Sequence, residues 1–188
     1  MKSKFAGFLL HNILGWSYED KVIAEAKCIV LGFPHTCVSD FIIFFLYTRA
    51  IGEKMYVMVK KELYVWPLRR MMSAIGIVPV DRTRGAGVLK QCIDEFGKRE
   101  SFHIAMSPEG TRKAVKRWKK GFHTLASATG AGVYLGYYDW KNKFITTGER
   151  FEISKNADAD LEAIQRYYKY KTTASGKYPE KVAYPDGI

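Results

Sequence analysis

The sequence has few of the residues that build metal centres, disulfide frameworks or membrane spans. Its three cysteines, Cys28, Cys37 and Cys92, match no zinc-binding spacing and leave one over if two of them pair. Reduced thiols in a cytoplasmic setting are therefore the simplest interpretation. The longest apolar run, FIIFFLY at residues 41–47, is far shorter than the roughly 20 residues that a membrane-spanning helix requires. A cysteine-rich zinc site, a disulfide-stapled domain and a membrane-spanning chain are thus not expected.

Acidic residues are scarce relative to basic ones, with 19 Asp and Glu against 30 Lys and Arg and a formal net charge of +11. Such an excess favours anionic partners: a phospholipid surface, phosphorylated small molecules, an acidic carrier protein or nucleic acid. The length of 188 residues suits one compact domain, and 47% of them are apolar, so an ordered core is expected. We therefore expect residues 1–188 to form a single domain.

Residues 1–20 contain an amphipathic pattern. Phe5, Phe8, Leu9, Ile13 and Trp16 follow helical spacing, with lysines at the start of the segment. A helix lying in the head-group region of a membrane shows this pattern, and so does a helix packed on a protein core. The apolar run is interrupted at positions 11 and 12, which does not fit a cleaved signal peptide. An interfacial helix over residues 1–20 is one interpretation, and both stay open.

Short apolar runs alternate with helical patterns along the rest of the chain. Strands are expected at residues 28–33, 55–59, 77–80, 102–106 and 133–138, with one or two edge strands, broken at Gly148, in residues 144–153. Helices are expected at about residues 40–49, 67–74, 88–96 and 122–128, and from about residue 158. Residues 172–188 are expected to form a surface tail. This alternation predicts an α/β fold, a single layered domain whose mixed or mostly parallel central sheet is flanked by helices.

A histidine and an aspartate stand at the first strand-to-helix turn. His35 follows the strand predicted at residues 28–33, and Asp40 stands where the next helix should begin. In a loop that enters a helix, the carboxylate can meet the imidazole, fix its tautomer and leave the other ring nitrogen free to accept a proton. Alternatively, Ser39 or Asp40 merely caps the helix. Cys37 also allows a Cys–His dyad, although a separation of two residues makes that geometry awkward.

Two later turns carry cations. Arg82 and Arg84 follow the strand at residues 77–80 and precede glycines, which suits either phosphate binding or an ordinary solvated turn. Glu109 and Gly110 follow the strand at residues 102–106, and lysines and arginines then surround Trp118. That basic run suits phosphate, an acidic protein, a lipid surface or single-stranded nucleic acid, or it is a solvated face.

Taken in order, these segments resemble the glycerolipid acyltransferase family, of the 1-acylglycerol-3-phosphate acyltransferase type. The resemblance is carried by HTCVSD at 35–40, VPVDR at 78–82, and PEGTR at 108–112 with KKG at 119–121. KKEL at 60–63 is similar to the stretch before the family's second block. The similarity covers residues 25–140, and several motifs in the family's order are specific where one alone is not.

The resemblance implies transfer of a fatty acyl group from acyl-CoA or acyl carrier protein to the hydroxyl of a lysophospholipid such as 1-acylglycerol-3-phosphate. His35 would be the general base, Asp40 would orient it, and Arg82 would bind the acceptor's phosphate. The other substrate-binding residues implied are Glu109, Gly110, Thr111, Arg112, Lys119 and Lys120. No metal and no cofactor besides the acyl donor are implied. The partners would be the donor, a lysophospholipid and an anionic membrane surface, with no nucleic acid. The location would be cytoplasmic, peripheral on the inner face of the membrane.

The sequence departs from the family's pattern at several positions. Pro34 stands where the family often has asparagine, Cys37 where it often has serine or threonine, and Lys113 where serine is common. Residues 133–137 lack the usual proline, and no spanning segment precedes the motifs. These departures leave the His–Asp pair intact and leave the identity of the acceptor lipid open. The alternatives are an acyltransferase for another lyso-lipid, an acyl thioesterase, and a non-catalytic basic module that binds membrane or nucleic acid.

Overall fold

The computed structural model of the chain describes residues 2–81, 85–172 and 176–184. The strands are β1 (Ser17–Tyr18), β2 (Lys27–Phe33), β3 (Met55–Lys60), β4 (Ile77–Val80), β5 (Phe102–Met106), β6 (Gly132–Asp139) and β7 (Phe144–Phe151). The α-helices are α1 (Lys4–Phe8), α2 (Ser39–Ile51), α3 (Arg69–Ala74), α4 (Gly85–Lys98), α5 (Gly121–Thr129) and α6 (Ala157–Thr172). Leu9–Ile13 continues α1 as a π-helical turn, and 3₁₀ turns occupy Lys61–Leu63 and Pro179–Lys181.

The strands form one seven-stranded sheet in the order β1-β7-β6-β2-β5-β3-β4. All neighbouring pairs are parallel except β6 and β7, which are antiparallel. The predicted α/β domain with a mostly parallel mixed sheet is thus confirmed. Two details differ from expectation. The short strand β1 was not predicted, and β7 runs unbroken through Gly148, whose φ of +75° forms an irregularity inside the strand.

Helices cover both faces of the sheet because alternate residues of the central strand point to opposite sides. On one face, Ile29, Leu31 and Phe33 of β2 pack with apolar residues of α4, α5 and α6. On the other face, Cys28 and Val30 pack with residues of α2 and of the π-helical turn. Because β2, β5, β3 and β4 are parallel, their carboxyl ends meet at one edge of the sheet, where open α/β sheets place their ligands.

The N-terminal segment divides its apolar residues between core and surface. Leu10 and Trp16 are buried against α2 and the sheet, whereas Phe5, Phe8 and Ile13 are exposed. Trp16 is therefore not part of an exposed apolar face, contrary to the helical-spacing interpretation, because the helix ends before it. Within the described ranges, no helix is both long enough and apolar enough to cross a membrane.

Residues 176–184 lie closer to the domain than a surface tail would. The Tyr184 ring is 5.5 Å from that of Phe33, and its hydroxyl donates to the Tyr168 carbonyl at 3.3 Å. Gly176 is buried where a Cβ atom would stand 2.6 Å from the Thr36 side chain. The apolar area of an aromatic ring explains this packing. The predicted tail therefore includes a segment that covers the loop after β2.

A buried ion pair joins β5 to the loop after α2. His103 Nδ1 lies 3.0 Å from Glu53 Oε2, and its Nε2 lies 2.7 Å from the backbone carbonyl of Glu25. Both partners are acceptors, so both ring nitrogens carry hydrogen and the ring is an imidazolium. Burial alone lowers the pKa of His103, but these two hydrogen bonds outweigh it and raise the pKa above its usual value.

Replacing Glu53 with Gln is expected to lower the free energy of unfolding by about 3 kcal/mol, because a buried imidazolium loses its carboxylate. Urea denaturation monitored by circular dichroism measures the change. The matched control is Glu162→Gln, which breaks an exposed helical pair with Arg166 and should change stability by less than about 0.5 kcal/mol. Equal effects of the two substitutions would contradict the assignment of a charged His103.

Candidate active site

The loop between β2 and α2 brings the predicted histidine and aspartate together. His35 Nδ1 lies 3.2 Å from Asp40 Oδ2. Asp40 sits in the first turn of α2 and is fully buried, whereas 32% of the His35 side chain is exposed. The helix start folds the carboxylate back on the imidazole, which a regular helix would prevent at this spacing. The pair thus consists of a buried carboxylate and a solvent-accessible imidazole.

Asp40 is held as an anion by five donors. Oδ2 accepts from His35 Nδ1 and from the backbone N–H groups of Thr36 and Cys37, at 2.7 and 2.9 Å for the latter two. Oδ1 accepts from Cys37 Sγ at 3.3 Å and from Trp140 Nε1 at 2.9 Å. Burial alone raises the pKa of Asp40, but the bonds from His35, Cys37 and Thr36 outweigh it and hold the pKa below its usual value. An ionised carboxylate only accepts, so His35 carries a hydrogen on Nδ1, and in the neutral ring the lone pair is then on Nε2.

These contacts decide between the interpretations that the sequence left open. The residue that caps α2 is Val38, without a side-chain cap bond, so neither Ser39 nor Asp40 is a simple helix cap. The Cys37 thiol donates to Asp40 Oδ1, so the sulfur is paired with the carboxylate and not with the imidazole. A thiolate nucleophile activated by His35 does not fit this arrangement, because His35 donates to the same carboxylate.

Glu109, in the loop after the neighbouring strand β5, supports the backbone of His35. Its Oε2 accepts from the His35 N–H at 2.8 Å and from Ser107 Oγ at 3.1 Å. Its Oε1 is buried and has no hydrogen-bond partner among the described residues. Burial raises the pKa of Glu109 to about 7, and the negative charge of Asp40 acts in the same direction, against the two hydrogen bonds. Glu109 therefore carries a proton through the mildly acidic range.

The protein is expected to lose stability as the pH rises from about 4.5 to about 7, on account of Glu109. In this window the unfolded chain ionises Glu109 while the folded chain keeps it protonated, so the free energy of unfolding falls with rising pH, by on the order of 3 kcal/mol. Glu109→Gln should remove this part of the pH dependence, since an amide keeps the acceptor for His35 and Ser107 and never ionises.

Urea titrations across this pH range, with both proteins in the same buffers, measure the difference. Asp40 and His103 also contribute to the pH dependence of the free energy of unfolding. Both proteins contain these residues, so their contributions cancel in the comparison. An identical pH slope in the two proteins would show that Glu109 ionises normally.

The loop after β5 places the other motif residues around Glu109. Gly110 has a φ of +66°, and a Cβ there would meet the Lys119 side chain at 2.9 Å, so glycine is favoured. Thr111 Oγ1 accepts from the Lys113 N–H at 3.3 Å. Arg112 is exposed at the start of the basic run. Lys119 thus lies along the motif loop, while Lys120 is paired with Asp158 of α6 at 2.8 Å.

Trp118 does not belong to a basic, aromatic surface. Only 3% of it is exposed, and its ring lies 4.6 Å from that of Phe33 and 5.9 Å from that of Tyr168. Stacking on single-stranded nucleic acid needs an accessible ring. Trp118 is therefore not available to stack on the bases of single-stranded nucleic acid. The basic run is an exposed group of cations around one buried tryptophan.

Arg82, the predicted phosphate anchor, lies outside the described residues, as does Arg84. The preceding residue, Asp81, follows β4 and accepts from Lys61 Nζ at 2.5 Å. The carboxyl end of β4 is at the edge of the sheet that carries His35 and Glu109. The role of Arg82 stays a prediction.

Two contributors to the site were not found from the sequence. Trp140 reaches Asp40 from 100 residues away, and no spacing signal links them. Ser107 bonds Glu109 and directly precedes the PEGTR block, so its position beside the motif was the available signal. Within the described ranges, no group of three or more His, Cys, Asp or Glu side chains is placed to hold a metal ion.

The family model named Acyltransferase matches residues 17–136, which is more than half of the chain and includes every predicted catalytic and substrate-binding residue from His35 to Lys120. The chain belongs to this family, which confirms the resemblance drawn from its motifs. Comparison with curated protein sequences finds no significant match.

Among solved structures, the chain is similar to PlsC, the 1-acyl-sn-glycerophosphate (LPA) acyltransferase of Thermotoga maritima. The TM-score is 0.63, the alignment covers 89% of this chain and 76% of that chain, and the sequences are 16% identical. At that identity the likeness shows the fold alone.

Proposed function

We propose that the protein transfers a fatty acyl group from acyl-CoA or acyl carrier protein to the hydroxyl of a lysophospholipid such as 1-acylglycerol-3-phosphate. The observation that carries the proposal is the His35–Asp40 pair. The buried carboxylate of Asp40 holds Nδ1 of His35, and the His35 side chain is accessible to solvent. Membership of the Acyltransferase family supports the reaction class. The acceptor type rests on the motif resemblance and on the basic character of the chain.

In the proposed reaction, Nε2 of His35 removes the proton from the acceptor hydroxyl as its oxygen attacks the thioester carbonyl. Asp40 stabilises the imidazolium that forms. The tetrahedral intermediate collapses, the carbon–sulfur bond breaks, and the imidazolium returns its proton to the departing thiolate. The products are an ester and a thiol, and no acyl-enzyme forms. No metal and no cofactor beyond the acyl donor takes part in this scheme.

Arg82, Arg112 and Lys119 are proposed as contacts for the acceptor's phosphate, with Lys120 as a further contact once it leaves Asp158. Exposed pairs such as Lys120–Asp158 are weak, so an anionic substrate can compete for the lysine. Glu109, Gly110 and Thr111 would shape the pocket. Phe41 and Phe45 stack on each other, half-buried, at 6.3 Å, beside the start of α2, and are candidates for contact with the acyl chain. We further propose that the protein works at the cytoplasmic face of an anionic membrane.

The proposal is tested by supplying each thioester donor with a panel of lysolipids and measuring both thiol release and acylated lipid. Transfer predicts one lipid product for each thiol released, with a marked preference for a phosphate-bearing acceptor. Thiol release that is equal with and without lysolipid, and that yields free fatty acid, would replace the transferase by a thioesterase.

Replacing Cys37 with Ser is expected to change kcat by less than about fivefold, because a hydroxyl can donate to Asp40 as the thiol does. The same assay with purified protein measures the effect. A loss of about a thousandfold, the size expected for removal of a nucleophile, would restore the Cys–His dyad.

A further inference from the structure

The connection from β3 to β4 is exposed along most of its length. This crossover segment, residues 61–74, has no buried residue in its 3₁₀ turn or in α3. Trp66 is 85% exposed, and four other large apolar residues are also exposed: Leu63, Val65, Leu68 and Met71. A contiguous group of exposed apolar side chains marks a surface that meets a partner or a membrane.

Cations frame this apolar group. Lys60, Arg69 and Arg70 are exposed, and Glu62 is the one acidic residue in the sequence from position 60 to position 76. The Arg69 guanidinium lies 5.6 Å from the centre of the Tyr64 ring. A groove of about 600 Å3 is bordered by Tyr64, Trp66, Pro67, Arg69, Arg70 and Ser73. Apolar and aromatic side chains beside arginines can enter a head-group region while their cations bind lipid phosphates.

The crossover segment begins at the catalytic edge of the sheet. It leaves the carboxyl end of β3, and β3 is parallel to β5, which in turn is parallel to β2. The same edge carries His35 and Glu109. At its other end, the Ala74 carbonyl accepts from Arg49 Nη2 at 3.3 Å, and the Arg49 carbonyl accepts from the Ser3 N–H at 2.8 Å. Arg49 belongs to α2, so this helix contacts both the end of the crossover segment and the start of α1, whose Phe5 and Phe8 are exposed.

We infer that the crossover segment docks the protein on an anionic phospholipid bilayer, with Trp66 and its apolar neighbours among the head groups and Arg69 and Arg70 on lipid phosphates. A bilayer fits better than an acidic protein because the apolar residues outnumber the cations and the most exposed large apolar side chain of the segment is an indole, which favours membrane interfaces. The inference rests on the proposed function, since a bilayer would hold the lysophospholipid acceptor close to the catalytic edge.

Vesicle sedimentation with the full chain tests this docking without acyl donor or turnover. Vesicles of equal parts phosphatidylglycerol and phosphatidylcholine should bind the protein, and pure phosphatidylcholine should bind it far more weakly. Trp66→Ala combined with Arg70→Ala should weaken binding to the anionic vesicles by about tenfold or more. The matched control is Lys169→Ala with Tyr170→Ala, because Tyr170 is also 85% exposed and Lys169 is exposed beside it on α6.

Tryptophan fluorescence provides a second readout. Trp16 and Trp118 are 2% and 3% exposed, and the half-buried Trp140 is held by its bond to Asp40. Trp66 should therefore dominate any blue shift on adding anionic vesicles, and Trp66→Phe should remove most of it. Equal vesicle binding by the wild type and the Trp66/Arg70 variant would overturn the inference. The inference would also be overturned if vesicle binding were lost only on replacing Phe5 and Phe8 of α1. It would likewise be overturned if the Trp66/Arg70 variant bound vesicles normally but no longer bound acyl carrier protein.

These outcomes are separable from those of the proposed function. A protein that sediments with anionic vesicles through Trp66 but acylates no lysolipid keeps the docking inference and loses the proposed reaction. A protein that acylates lysolipids while both vesicle readouts are unaffected by the Trp66 and Arg70 substitutions keeps the reaction and loses the docking inference.

Discussion

Replacing His35 with Ala is expected to reduce kcat for acyl transfer by roughly three orders of magnitude while the protein stays folded. The general base contributes a factor of this size when it removes a proton in the transition state. Asp40 keeps four of its five donors in the variant, so the loss in stability should not exceed about 1 kcal/mol. Initial rates of lipid product give the first quantity, and urea denaturation gives the second.

The control for this substitution is His11→Ala. His11 is exposed on the π-helical turn, and among the described residues its side chain makes one hydrogen bond, from Nδ1 to the Trp16 carbonyl at 3.3 Å. Its removal should leave kcat within about twofold of the wild type. A His35 variant that keeps most of the activity would favour the basic module, in which function depends on charge. That alternative predicts a large loss when the cations from Arg112 to Lys120 are reversed.

Replacing Asp40 with Asn is expected to lower kcat by about a thousandfold, because a neutral amide no longer stabilises the imidazolium. It should also lower the free energy of unfolding by about 1 to 3 kcal/mol. If the amide oxygen takes the place of Oδ2, the amide nitrogen faces the Trp140 indole N–H, and two donors then oppose each other.

The two effects can be separated with a second substitution. Trp140→Phe removes the opposing donor, so the double variant Asp40→Asn, Trp140→Phe should regain much of the stability lost in the single Asp40 variant. Its kcat should stay low, since the carboxylate is still missing. If stability and kcat recovered together, Asp40 would be a structural residue and not part of the proton-transfer pair.

The sequence predicted the parts of the fold that depend on local patterns. The strands over Ile77–Val80 and Phe102–Met106 were predicted with their observed bounds, because each is a short apolar run between turn residues. The pairing of His35 with Asp40 was inferred from their place at a strand-to-helix turn and from the resemblance. Their spacing alone would not have distinguished this pair from a helix cap.

Long-range packing could not be predicted. Trp118 lies in a basic run that reads as a solvated loop, yet it is buried against Phe33 and Tyr168, which are distant in the sequence. The contact between Trp140 and Asp40 has the same character. Tyr184 packs on Phe33, where each ring removes apolar area of the other from water. Each of these contacts depends on how the elements pack, and no local pattern encodes it.

The most direct test of the central claim compares the wild type and the His35→Ala variant in one assay. Each protein is incubated with an acyl-labelled thioester and 1-acylglycerol-3-phosphate on anionic vesicles, and the labelled lipid and free thiol are measured from the same sample. The account predicts equal amounts of lipid product and thiol for the wild type, and roughly a thousandfold less of both for the variant. Equal rates of labelled lipid formation by the two proteins would contradict it.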